Sequence, residues 1–212
     1  MDERLTELTV RSLVERLATS DPAPGGGSAA AMAGAMGAAL LHMVVELTVG
    51  RPDTEGDERA LFDIRTAAVA WQSELLNLAE LDANAYEAVV RARRLPRQSE
   101  RERNARNVQF GAAIREATRI PLAAARAASE VLDLALRLAP IGNRNAISDV
   151  GVAGLLAVAA LRGAALNVEI NLPYVSADEA LRREASDEIV RLLATVEDRD
   201  RAVRNAVAER LR

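Results

Sequence analysis

An aspartate interrupts a long apolar stripe where a hydrocarbon side chain is expected. Leu61, Ile64, Ala68, Trp71, Leu75 and Leu78 recur at alternating steps of three and four, and the series resumes at Tyr86 (or Ala85) and Val89. Asp82 fills the gap between them. A carboxyl on the buried side of a helix loses hydration, which raises its pKa unless a cation compensates. Asp82 is therefore either a general acid poised near neutrality or one half of a buried pair with an arginine.

Other polar residues stand out against apolar surroundings. Ser148 and Asp149 open a segment that is apolar nearly all round to Asn171, and Asn143, Arg144 and Asn145 precede them. An acid in a first helical turn is stabilised by the helix dipole, so Asp149 is either that or part of a polar rim. Asn167 and Asn171 lie four apart, hence on one helix face. Buried amides need partners, and these two either tie the structure together or read a polar ligand. His42 is the only histidine, has no second ligand at metal-binding spacing, and reads as a satisfied or interface residue. The arginines between Arg97 and Arg106 make a solvated face or gather an acidic ligand. No Ser-His-Asp arrangement is persuasive.

The run Pro22-Ala23-Pro24-Gly25-Gly26-Gly27-Ser28 leads into alanine, glycine and methionine. The prolines favour an extended approach, the glycines open unusual backbone conformations, and Ser28 suits a helix N-cap. A glycine loop feeding a helix N-terminus can hold a carboxylate or phosphate, or it simply starts a buried helix. A P-loop is excluded, because the chain contains no lysine. Ala30, Gly34 and Gly37 lie at close-packing intervals, so neighbouring helices can approach this one closely.

The elements that must position these groups are all helical. The chain has 212 residues, half of them hydrophobic and only 2% aromatic, so its core is built from small and aliphatic side chains. Residues 3–18 read as a short amphipathic helix, Ser28 to about Thr48 as a first central helix, and Asp57 to Arg94 as a long amphipathic one. A charged helix begins at Ser99, Pro121 should kink or break it, and helix resumes over Leu122 to Leu138. A loop at Pro140 to Asn145 precedes a second central helix from Ser148 to Asn171. Charged amphipathic pattern then runs from Asp178 to the C-terminus. The expectation is an all-α helical bundle, one domain over residues 1–212, with two apolar central helices wrapped by long amphipathic helices.

Composition narrows the chemistry further. A net charge of −4 and few aromatics argue against nucleic acid. The absence of cysteine removes disulfides, thiolate metal sites and cysteine nucleophiles. Residues 1–18 are not a signal peptide, and residues 29–45, slightly short and holding His42, read as a buried helix of a cytoplasmic protein. The surplus apolar surface of residues 28–48 and 148–171 points to a homodimer held by helix faces.

Ala23-Pro24-Gly25-Gly26-Gly27-Ser28-Ala29-Ala30, Leu81-Asp82-Ala83-Asn84-Ala85-Tyr86, Arg94-Leu95-Pro96, Ser148-Asp149 and Leu166-Asn167-Val168-Glu169-Ile170-Asn171-Leu172 occur in this order. Together they resemble the cyclodeaminase/cyclohydrolase family, the C-terminal domain of formiminotransferase-cyclodeaminase and its stand-alone bacterial relatives. The resemblance implies an all-helical dimer acting on one-carbon tetrahydrofolates without a separate cofactor or metal. The first activity it implies is ring closure of 5-formiminotetrahydrofolate to 5,10-methenyltetrahydrofolate with loss of ammonia. The alternatives are methenyltetrahydrofolate cyclohydrolase on the same scaffold and a non-catalytic helical interaction module. By the resemblance Asp82 is the catalytic acid, with Asp149 beside it. Pro24, Gly25, Gly26, Gly27, Ser28, Ser148 and Asn167 line the folate site. The chain departs from many members after Gly50, where Arg51-Pro52-Asp53 replaces a basic stretch.

Overall fold

A computed structural model describes residues 4–51, 58–175 and 177–212. Seven α-helices carry the architecture: α1 (Val10–Leu17), α2 (Gly26–Glu46), α3 (Glu58–Arg94), α4 (Glu100–Leu138), α5 (Ile147–Asn171), α6 (Glu179–Ala194) and α7 (Val196–Arg210). No strand occurs among the described residues. The expected start of α3 at Asp57 and most of the acidic stretch before it lie outside the described residues.

Helices α2, α3, α4 and α5 form the central bundle, with α2 and α5 packed against each other and flanked by α3 and α4. Their interior is one contiguous cluster dominated by alanine, valine and leucine. Small residues set the spacing. A Cβ on Gly163 would lie 3.0 Å from the Ala30 Cβ, and one on Gly34 would lie 3.2 Å from the Ala160 Cβ. The close-packing intervals read from α2 are therefore used against α5. The Asp82 seam also holds: Leu61, Ile64, Ala68, Leu75, Leu78, Ala85 and Val89 are buried along one side of α3.

α6 and α7 are strapped across this bundle by charged contacts. Arg126 of α4 bridges Glu184 and Glu188 of α6, and Arg199 of α7 reaches Asp133 and Ser129 of α4. At the other end of the chain, Thr6 donates its N–H and hydroxyl to Glu80 at 2.7 and 2.8 Å, which pins the N-terminal segment to α3.

Four local expectations are corrected. The helix expected over residues 3–18 is a 3₁₀ turn, Leu5–Glu7, followed by α1, because Thr9 stops the first and caps the second by accepting from the Ser12 N–H. The C-terminal segment is two helices that meet at Thr195. Ser28 is not the cap of α2. The helix starts two residues earlier, Gly25 is its extended cap, and Gly26 and Gly27 already lie in its first turn. None of these three glycines has a positive φ; among the described residues only Gly50 does.

The fourth correction is Pro121, which lies inside an unbroken 39-residue helix. Proline has no N–H for the carbonyl four residues back, here that of Ala117. Asn171 of α5 supplies the missing donor: its Nδ2 lies 2.7 Å from the Ala117 carbonyl oxygen. A side chain of one helix thus completes the backbone of another.

Both central helices are long and apolar enough to cross a membrane by composition, yet 56% and 44% of their apolar windows are buried within the bundle. The remainder is half-buried or exposed. On α5 it forms a stripe of Val152, Leu155, Leu166 and Ile170, each between 46% and 68% exposed.

Candidate functional site

Asp82 stands at the N-terminus of α2, and one absent side chain makes this possible. A Cβ on Gly27 would lie 2.3 Å from Asp82 Oδ1 and 2.6 Å from both Cγ and Oδ2. The space a methyl would fill is occupied by the carboxyl. Gly26, by contrast, has nothing nearer than the Asn167 amide at 3.8 Å. The sensitivity expected of the glycine run is therefore centred on Gly27, through close approach and not through unusual backbone angles.

Ser28, with no exposed surface, turns its hydroxyl inward. Its Oγ lies 3.0 Å from Asp82 Oδ2 and 3.0 Å from the Ala79 carbonyl. The Ser28 N–H also donates to the carboxyl. Ser28 thus holds the Asp82 carboxyl with its hydroxyl and its N–H and is not on the cavity wall. Burial pushes the Asp82 carboxyl above the ordinary aspartate range, and the two Ser28 hydrogen bonds pull it only part of the way back. No arginine pairs with Asp82 in any described ion pair, so the general-acid alternative is the one the geometry favours.

The carboxyl opens onto a cavity of about 270 Å³ lined by Pro22, Gly25, Gly26, Gly27, Tyr86, Ala117, Asn167, Ile170 and Asn171, among others. The Asn167 side chain donates through Nδ2 to the Gly163 carbonyl at 2.9 Å, its one side-chain hydrogen bond among the described residues, which leaves Oδ1 for a ligand. Asn171 is spent on Ala117 and on the Asn167 carbonyl, so of the two amides one reads and one builds. Tyr86, half exposed, forms a wall of the cavity. The sequence placed it only in the apolar seam; its position one helical turn after Asp82 was the available signal. Ile170 was missed because nothing distinguishes it from its apolar neighbours.

A larger groove, about 770 Å³, lies between α3 and α4. Its floor is mostly alanine, and its charged residues, Arg91 and Glu116, sit on opposite helices. Arg91 is paired with Glu87 and Glu116 with Arg119 along their own helices, and no buried titratable group opens onto it, so the smaller cavity is the better candidate. Pro24 is buried behind the cavity, facing Arg4, Arg16 and Glu80.

Ser148 and Asp149 are not brought to Asp82. They sit in the first turn of α5, whereas Asn167 is in its last turns, roughly 27 Å away at 1.5 Å per residue. Ser148 is exposed and Asp149 partly so. His42 lies 3.3 Å from Glu46, which also pairs with Arg65, at the opposite end of α2 from the cavity. Among the described residues no group of three or more His, Cys, Asp or Glu is placed to hold a metal ion.

Comparison with known proteins follows the same lines. The family described as formiminotransferase-cyclodeaminase matches residues 9–191. A methenyltetrahydrofolate cyclohydrolase of Methylorubrum extorquens is 41% identical over 186 residues, covering 88% of this chain and 89% of the relative. The formimidoyltransferase-cyclodeaminase of Rattus norvegicus is 31% identical over 192 residues, 91% of this chain but 35% of that longer protein. A crystal structure of formiminotetrahydrofolate cyclodeaminase from Thermotoga maritima superposes with a TM-score of 0.85 at 28% identity, covering 97% of this chain and 98% of that one.

Proposed function

The chain belongs to the formiminotransferase-cyclodeaminase family, and on that premise we propose that it is an enzyme of one-carbon folate metabolism acting as a methenyltetrahydrofolate cyclohydrolase. The observation that carries this reading is the 41% identity to a named cyclohydrolase over almost the full length of both chains. It reverses the order expected from the sequence, in which cyclodeaminase stood first. Ring closure of 5-formiminotetrahydrofolate remains the second reading, supported by the 0.85 superposition on a named cyclodeaminase. The relatives reported above are named as enzymes, so the reading as a silent interaction module is dropped.

The site geometry suits the hydration. In 5,10-methenyltetrahydrofolate a carbon bridges N5 and N10 as a delocalised cation. Ionised Asp82 takes a proton from water as the water oxygen bonds to that carbon. The neutral carboxyl then gives the proton to N5 as the carbon–N5 bond breaks. The new hydroxyl loses its proton to solvent, leaving a formyl group on N10 and one proton released overall. A carboxyl whose pKa burial raises is a stronger base than an exposed aspartate in the first half and the proton donor in the second. The Ser28 hydroxyl holds Oδ2 of a carboxyl that lines the cavity. Asn167 is the polar contact available to the pterin. The same neutral carboxyl serves the second reading by protonating the leaving amino group. Neither reaction, as written, needs a cofactor. We expect a cytoplasmic homodimer, the dimer because α5 presents Val152, Leu155, Leu166 and Ile170 to the outside.

The test is absorbance of the methenyl compound against ammonia release from the formimino compound. Faster consumption of the methenyl substrate is expected, and Asp82→Asn should lower kcat on the order of 10²–10⁴-fold with little change in KM. Wild-type turnover by Asp82→Asn across pH 5 to 9 would make Asp82 structural. Ammonia release that outpaces hydration would restore the cyclodeaminase reading.

A further inference from the structure

We propose that Arg93 selects the substrate by its glutamate end: its guanidinium takes the glutamyl carboxylates of a folate whose pterin lies at Asp82. The proposal rests on the folate reading above and adds to it the group that tells a glutamylated pterin from a bare one.

A path leads from the cavity to Arg93. Gly34 of α2 lies against Leu75 and Ala160, whereas Gly27 lies against Asp82 and Gly26 faces Asn167. α3 and α5 therefore both run antiparallel to α2, and both leave the cavity in the same direction. Beyond Asp82, α3 carries Tyr86, Val90 and Arg93 at steps of four and three, on one side of the helix. Alongside, Ile170 is followed one turn later by Tyr174, in the 3₁₀ turn Leu172–Tyr174 that extends α5. The two lines meet where the Arg93 guanidinium carbon stands 5.4 Å from the centre of the Tyr174 ring and 5.6 Å from that of Phe110. Those rings meet edge to face at 6.3 Å. The chain has only five aromatic residues, so three of them along one path set this surface apart from the rest.

Arg93 is exposed, enters no ion pair and donates no side-chain hydrogen bond among the described residues. Three of its neighbours are engaged within the chain: Arg91 with Glu87, Arg103 with the Arg97 and Gln98 carbonyls, and Arg106 with the carbonyl of Arg93 itself. Stacking on aromatic faces fixes the plane of a guanidinium and leaves its edge of N–H donors for a carboxylate. Between positions 91 and 106 seven arginines stand against two glutamates, in a chain of net charge −4, so this end of the bundle draws anions. The spacing suits a folate. Arg93 follows Asp82 by eleven residues, roughly 16 Å along α3. Helical side chains lean toward the N-terminus, which brings its guanidinium back to roughly 12 Å from the level of Asp82. In an extended folate the two glutamyl carboxylates lie roughly 10 and 13 Å from the carbon between N5 and N10, by standard bond lengths. With that carbon at Asp82, the benzoyl ring passes Tyr86 and the carboxylates reach Arg93.

Kinetics with two substrates decide this. One is whichever folate the wild type turns over faster, the methenyl or the formimino compound. The other is its diamide, with both glutamate carboxylates converted to carboxamides. Arg93→Ala should raise KM for the folate about tenfold, near the lower end for a charge-assisted hydrogen-bonded pair, and leave kcat unchanged. Arg93→Lys should fall between, since a lysine keeps the charge and loses the fork. Tyr174→Leu, which removes a ring from beside the guanidinium, should raise the same KM by a smaller factor. With the diamide, wild type and all three variants should share one KM. Added salt should raise the folate KM of wild type and not that of Arg93→Ala. An unchanged folate KM in Arg93→Ala, with circular dichroism matching wild type, would overturn the proposal. So would a rise of equal size for folate and diamide, which would make Arg93 a support for the fold of this end. If Arg93→Ala does not fold, Arg93→Lys is read by the same two criteria. A wild type that turns over neither folate would sink the folate reading and this proposal together, whereas failure of the KM test in an active enzyme sinks the proposal alone.

Discussion

Replacing Gly27 by alanine is the most economical test of the candidate site, since it adds one methyl group where the Asp82 carboxyl fills the space. The new Cβ would start 2.3 Å from Asp82 Oδ1. Carbon and oxygen settle no closer than about 3.2 Å, so the carboxyl must retreat by roughly 1 Å or rotate away. Either motion breaks the 3.0 Å contact with Ser28, a loss of about 1 kcal/mol. Alanine is a better helix former than glycine by about 1 kcal/mol, so the two effects on stability nearly cancel. The effect on rate does not cancel, because displacing a reacting group by about 1 Å costs on the order of 10²-fold. Gly27→Ala should therefore melt within a few degrees of wild type while kcat for methenyltetrahydrofolate falls about a hundredfold. Gly26→Ala is the matched control, with its nearest neighbour at 3.8 Å, and should keep both. Full activity in a folded Gly27→Ala enzyme, or equal losses in the two variants, would refute the placement of Asp82 against α2.

Removing the Ser28 hydroxyl takes away an interaction that lowers the Asp82 pKa, so in Ser28→Ala the acidic limb of the kcat–pH profile should move to higher pH; an unmoved limb would detach Ser28 from the acid. Because folding raises the Asp82 pKa, the native state holds its proton more tightly than the unfolded chain, and the contribution of this group to stability falls as pH rises from the ordinary aspartate value through the native one. Asp82→Asn should accordingly melt higher than wild type at neutral pH, with the difference vanishing in acid, as scanning calorimetry at several pH values would show. Asn171→Leu should cost about 1–3 kcal/mol by orphaning the Ala117 carbonyl, and less in a Pro121→Ala background that restores the backbone donor; strictly additive denaturation midpoints would contradict that account.

How much of this was legible beforehand differs from residue to residue. Asp82 was visible because helical periodicity is a local property, and a carboxyl in an apolar seam violates it without any knowledge of neighbours. The all-helical class followed from the same periodicity. Ser28 was misassigned because N-cap preference is local, whereas the partners that claim its hydroxyl, Ala79 and Asp82, lie more than fifty residues away. Pro121 was read as a break for a related reason. The penalty for proline assumes an unsatisfied carbonyl, and the donor that answers it comes from α5. Gly27 was noticed for backbone freedom, when what matters is the volume it leaves empty. Ser148 and Asp149 were grouped with Asp82 by resemblance alone, and no local rule could supply the length of helix between them.

The alanine content of the core has a consequence for how the enzyme should respond to heat. Alanine has no χ angle, so ordering it on folding forfeits no rotamer freedom, and alanine is the commonest buried residue on α2, α4 and α5. Thermal agitation cannot loosen such contacts by degrees, as it can between long flexible residues. The distance from α2 to α3, and with it the seat of the Asp82 carboxyl, should hold its value until the helices part. Heat inactivation and loss of helical circular dichroism should then trace one curve, with no temperature range in which the bundle is intact but the site has softened.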